Sequence, residues 1–141
     1  MIEGDAAATL RYRNAIGAEQ VRILADVLVK HATPLAPLSP EQAARDTVAR
    51  GCADGVIVTG SATGSAIDPI QLRDIRDAVP TTPLYLGSGV TPDNVETLAS
   101  NADGAIVGSW LKRDGDIAAP IDVERVRVLS RSLASALRAA G

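Results

Sequence analysis

The sequence predicts an α/β fold in which one helix is followed by four parallel strand–helix units, about half of a TIM-type barrel. Two observations carry this. Four short apolar runs, Val21–Val29, Gly55–Thr59, Leu84–Leu86 and Ala105–Val107, alternate with amphipathic stretches of helical length, the pattern of repeated βαβ units. The later runs lead into Thr59-Gly60-Ser61-Ala62-Thr63-Gly64, Gly87-Ser88-Gly89-Val90-Thr91 and Gly108-Ser109-Trp110-Leu111-Lys112, loops of the kind that hold ligands at the C-terminal end of barrel strands. A full barrel takes about 250 residues for eight units, and 141 residues hold four. No linker or low-complexity stretch divides the chain, so a single half-barrel domain over 1–141 is expected.

The helices announce their starts. The first is expected from about Asp5 to Ile16, stopped by Gly17. Ser39-Pro40-Glu41-Gln42 and Asp68-Pro69-Ile70-Gln71 each place a capping oxygen before a proline at the first helical position, where its missing N–H costs nothing. Thr91-Pro92-Asp93-Asn94 is a looser version of the same start. The last helix is expected from about Asp122 to Leu137, with Leu129, Leu133 and Leu137 on one face. Gly51 and Gly141 stand where left-handed C-caps are expected.

Composition excludes several functions. A net charge of -3 offers no basic stripe for nucleic acid. Aromatic residues make up 2% and Phe is absent, so base-stacking platforms are not expected and the core must be aliphatic. One cysteine, Cys52, and one histidine, His31, allow no internal disulfide and too few ligands for a zinc site. No metal or cofactor is expected. No run approaches the ~20 apolar residues of a membrane span, and the first residues lack an apolar signal core. A cytoplasmic protein is expected.

The glycine loops carry the candidate chemistry. Gly87, Ser88 and Gly89 after the third strand, with Gly108, Ser109 and Lys112 after the fourth, form a paired anion cradle in which backbone N–H groups meet a phosphate closely. Plain tight turns are the alternative. Thr59, Gly60, Thr63 and Gly64 either contact substrate from the same rim or form a flexible loop. In the first strand, the odd positions Val21, Ile23, Ala25, Val27 and Val29 are expected against the helices, and Arg22, Leu24, Asp26, Leu28 and Lys30 toward the barrel interior. Lys30 and Asp26 are the candidate catalytic residues, as acid/base, anion ligand or Schiff-base lysine. The alternative is a structural ion pair of Asp26 with Arg22 or another charge. By parity His31 faces the helices, Cys52 is expected as a buried thiol, and Trp110 either covers the pocket or seals a subunit contact.

Gly4-Asp5-Ala6-Ala7, Leu10-Arg11-Tyr12-Arg13, Ala25-Asp26-Val27, Val29-Lys30-His31-Ala32, Asp54-Gly55-Val56-Ile57-Val58-Thr59-Gly60, Gly87-Ser88-Gly89-Val90-Thr91 and Val107-Gly108-Ser109-Trp110-Leu111-Lys112 resemble the BtpA family. The resemblance runs from Glu3 to about Leu129. It implies a TIM barrel akin to the phosphosugar-binding barrels, of which this chain supplies strands five to eight. It also implies either an enzyme on a phosphorylated small molecule, such as a nucleosidase or sugar-phosphate lyase or isomerase, or a non-catalytic factor in photosystem I biogenesis. Four strands alone leave two open edges and a bare inner face. A homo-oligomer, a complementing N-terminal half-barrel or an inactive truncated barrel are the resulting expectations.

Overall fold

The computed structural model describes residues 4–29, 34, 36–60 and 67–140. Helix α1 (Ala6–Ala15) is capped by Asp5, whose carboxylate accepts the Ala8 N–H at 2.8 Å, and it ends just before Gly17 turns left-handed at φ 66°. In α2 (Pro40–Ala49) Ser39 Oγ accepts the Gln42 N–H at 3.3 Å, and in α3 (Pro69–Ala78) Asp68 accepts the Ile70 N–H at 2.9 Å. Helix α5 (Val123–Ala140) begins where Asp122 accepts the Glu124 N–H. The looser start behaves differently. Helix α4 covers only Val95–Ala99, because Asn94 turns its side chain back into the preceding loop instead of capping.

Strands β1 (Leu24–Val27), β2 (Gly55–Val58), β3 (Leu84–Leu86) and β4 (Gly104–Ala105) form one parallel sheet in the order β1-β2-β3-β4. Val27, Val56, Val58, Leu84 and Leu86 point to one face and meet Ala44, Leu72, Ile75, Val95, Leu98 and Leu129 of the helices in a wholly apolar core. The first and fourth strands are shorter than their apolar runs. β1 stops because Leu28 adopts a left-handed φ of 58°. That breaks the alternation, and Leu28 packs against the core rather than lining the interior. The left-handed residue after α2 is Cys52, at φ 53°, not Gly51. Gly51 is needed for closeness instead, since a Cβ there would lie 2.6 Å from the Thr47 carbonyl oxygen. The turn carries Cys52 outward, so its thiol is exposed and not buried as its apolar neighbours suggest.

The feet of the strands are tied in pairs. Asp54, just before β2, accepts the Ile23 N–H at 2.9 Å and pairs with Arg22 at 2.8 Å and Arg13 at 3.2 Å. Asp103, just before β4, accepts the Leu84 N–H at 2.7 Å and pairs with Arg76 at 2.6 Å. Each aspartate opens the same segment, Ala53-Asp54-Gly55-Val56-Ile57-Val58 and Ala102-Asp103-Gly104-Ala105-Ile106-Val107. The registers match as well, Leu24 opposite Gly55 and Tyr85 opposite Gly104. The sheet is thus a strand–helix–strand unit used twice.

Asp103→Ala would leave the Leu84 amide, in a fully buried residue, without its acceptor. It is expected to cost about 1–3 kcal/mol in chemical denaturation. The Ile23 N–H, followed by the Arg22 guanidinium, holds the Asp54 carboxyl below its usual range. A lowered native value stabilises the fold at neutral pH, and that stability is lost as pH falls from the ordinary carboxylate range through the lowered one. Asp54→Asn should therefore flatten the acid limb of a stability–pH curve; an unchanged limb would remove Asp54 as its source.

Candidate functional site

The inner face of the sheet, away from the helices, holds a concavity of about 310 Å³ near the C-terminal strand ends, lined by Asp26, Ile57, Thr59, Gly87 and Ile106. The register builds it. Asp26 stands opposite Ile57, and Ile57 opposite Tyr85. Gly87 follows two residues after Tyr85 on the same side, and the side chains of Ile57 in β2 and of Thr59 just after it lean over it. A Cβ at Gly87 would lie 2.5 Å from Ile57 Cγ2 and 2.6 Å from Thr59 Cγ2. Among the described residues Thr59 Oγ1 is buried there with no hydrogen-bond partner, an uncommon state for a hydroxyl. Asp26 is exposed on this face. It does not pair with Arg22, which precedes the strand and is taken up by Asp54.

The loops above the concavity are braced from within. Gly89 takes a left-handed φ of 70°, its carbonyl accepts a hydrogen bond from Asn94 Nδ2 at 2.8 Å, and Asn94 Oδ1 accepts the Thr91 N–H at 2.9 Å. Ser88 Oγ accepts the Gly60 N–H at 3.3 Å. That bond ties the second loop to the third and engages an amide that the sequence left open for a ligand. After β4, Gly108 has open space where a side chain would stand. Ser109–Leu111 then forms a 3-10 turn. Trp110 is held against α5, with the Arg125 guanidinium 5.1 Å from its ring centroid and Arg125 Nη1 donating to its carbonyl at 2.9 Å. Lys112 is half-buried, its backbone bridged to Ile121, and it forms no ion pair among the described residues.

The structure thus brings Asp26, Thr59 and Gly87 together around one concavity and joins Gly60 to Ser88. Gly108, Ser109 and Lys112 lie on the adjoining loop, outside that lining. Lys30, His31, Thr63 and Gly64 lie outside the described residues. Sequence reasoning missed Asn94, whose place in an apparent helix start hid its role in bracing the loop. It also missed Ile57 and Ile106, which the Asp-Gly-x-Ile repeat could have placed on the inner face. A second concavity, about 380 Å³, lies at the opposite end around Arg76, Asn101 and Asp103. Its arginine is committed to carbonyls, including Thr82 O at 2.9 Å, and to Asp103, so it reads as part of the strand-foot tie.

Gly87→Ala should overpack this face and destabilise the fold by about 1–3 kcal/mol. Gly108→Ala, with open space and a negative φ of -118°, should stay within about 0.5 kcal/mol of the parent chain. Thermal or urea unfolding of the two variants checks both.

Comparison with known proteins agrees with the fold. The model of the BtpA family matches residues 1–135. The photosystem I biogenesis protein BtpA of Synechocystis sp. is 44% identical over 138 residues, 98% of this chain and 48% of that protein. An uncharacterized protein of Pyrococcus furiosus is 44% identical over 93% of this chain and 48% of its own length, and an uncharacterized mitochondrial protein of Caenorhabditis elegans is 37% identical over 89% and 45%. The chain spans about half the length of these curated relatives. A solved structure described as native KDPGal superposes with a TM-score of 0.55 at 23% identity, over 91% of this chain and 53% of that one. This likeness supports the half-barrel fold and no particular chemistry.

Proposed function

The chain belongs to the BtpA family, and on that premise we propose that it binds a phosphorylated small molecule, a sugar phosphate or nucleoside-like compound, at the C-terminal end of its sheet. The observation that carries this reading is the Thr59 hydroxyl, buried at the concavity without a partner among the described residues. A ligand's polar group reaching into the concavity would satisfy it. Beside it, the open backbone at Gly108 leaves room for an anion, with Ser109, Lys112, Ser88 and Gly89 as the further phosphate ligands. Thr63 and Gly64 would extend the same rim. Asp26 and Lys30 then act at the reacting end. In a nucleosidase reaction the C1′–N bond breaks, water supplies the hydroxyl that ends on C1′, and the leaving base takes up a proton. Asp26 suits the general base that receives the water's proton.

A second reading is a non-catalytic assembly factor. The observation favouring it is the 44% identity to a relative named for photosystem I biogenesis.

Calorimetry with inorganic phosphate, sugar phosphates and nucleosides separates the two, using the parent chain and Gly108→Val. The enzyme reading expects at least about tenfold weaker phosphate binding in the variant, roughly 1.4 kcal/mol, with its melting temperature unchanged. No binding at millimolar ligand would overturn it in favour of the assembly role. Gly89→Val is a poorer probe, because a branched residue at a left-handed φ strains the loop itself. If a turned-over ligand emerges, Asp26→Asn should lower kcat by about 10²–10⁴-fold while leaving affinity nearly constant.

A further inference from the structure

We propose that Asn94 is the positioning residue of the loop Gly87–Thr91, holding its backbone amides in the orientation that receives a phosphate group. The proposal rests on the phosphate reading of that loop and names the side chain that gives the loop its shape. Glycines at 87 and 89 open many conformations to the loop, and a loop that must order itself on binding loses affinity. One side is held at Ser88, whose Oγ accepts the Gly60 N–H at 3.3 Å. The other side is held by a single carboxamide. Asn94 Nδ2 donates to the Gly89 carbonyl at 2.8 Å, and Asn94 Oδ1 accepts the Thr91 N–H at 2.9 Å.

These two bonds fix two successive peptide planes. A peptide unit is planar and trans, so its carbonyl and its N–H point in opposite directions. Holding the Gly89 carbonyl toward Asn94 therefore turns the Val90 N–H away from it. Holding the Thr91 N–H toward Asn94 likewise turns the Val90 carbonyl away. Between the two planes the Val90 side chain is buried, which pins the loop at its middle. Among the described residues, the amides of Ser88, Gly89 and Val90 find no backbone acceptor, and successive amides of this kind are the groups that meet an anion. The stiffness of the brace comes from the core. Asn94 stands at the start of α4, its carbonyl accepts the Leu98 N–H at 3.2 Å, and Val95 and Leu98 behind it are buried. An asparagine before a helix ordinarily caps it. This one makes no capping bond to α4, and both ends of its carboxamide are given to the loop instead.

The experiment is calorimetry with inorganic phosphate, alongside thermal unfolding, on the parent chain, Asn94→Ala and Asn94→Asp. Aspartate can still accept the Thr91 N–H but cannot donate to Gly89. Alanine breaks both links and adds no charge. The expected result is phosphate binding at least about tenfold weaker in both variants, each still unfolding in one cooperative transition. A purely structural brace would lower the melting temperature and leave the affinity of the folded protein unchanged. Parent-like affinity in Asn94→Ala therefore overturns the proposal and leaves the phosphate reading standing. A loss confined to Asn94→Asp overturns it as well, since charge repulsion alone accounts for that pattern. If the parent chain binds no phosphate, the phosphate reading itself fails and takes the positioning role with it. Should Asn94→Ala not fold, Asn94→Ser decides by the same affinity criterion, because its short hydroxyl suits a helix cap and cannot reach back to Gly89.

Discussion

A parallel sheet with strands of two to four residues has few ladder bonds to hold it, and the constraint that sets its geometry is the aspartate at the foot of every second strand. A carboxylate accepts from the first amide of its neighbour, Asp54 from Ile23 and Asp103 from Leu84. Each fixes where its neighbour begins. Because side chains alternate with a period of two, that also fixes which residues face the helices and which face inward. The concavity follows. Ile57 and Thr59 come to overhang Gly87, and Asp26 stands across from Ile57, only because the strands start in step. Arginines complete the arrangement. Arg76 gathers the carbonyls of the turn before β3 while binding Asp103.

Much of this was legible in the sequence, and the legible parts share a cause: they are local. Ser39-Pro40 and Asp68-Pro69 start helices because the cap and the proline act within one turn. The order of helix and strand was readable because Leu84–Leu86 and Gly55–Val58 are continuous apolar runs between amphipathic stretches. What resisted reading depended on groups distant in the chain or on single backbone angles. The left-handed turn at Leu28 ended the alternation there, so Leu28 packs against the core where parity had placed it in the interior. The partner of Arg22 was Asp54, 32 residues away, rather than Asp26 four residues on. Cys52 sits among apolar neighbours yet faces water, because it rather than Gly51 takes the left-handed position.

The candidate site divides the same way. The glycines were visible, but their reasons differ. Gly87 is small because the side chains of Ile57 and Thr59 occupy its space, Gly89 because its backbone is left-handed, and Gly108 for no contact among the described residues. A residue kept small where the fold leaves room is the most suggestive of the three, and it lies in the loop whose Ser109 and Lys112 were chosen on sequence grounds.

Trp110 is the only tryptophan in the chain, and its ring lies beneath the Arg125 guanidinium at the junction of the last loop and α5. A cation over an indole face perturbs its excited state. The tryptophan emission of this chain, excited selectively at wavelengths where tyrosine does not absorb, therefore originates at one spot, beside Ser109 and Gly108, in a defined electrostatic setting. The molecule carries its own optical probe of that corner, and any event that shifts the loop against the helix will register as a change in emission colour or intensity without a label.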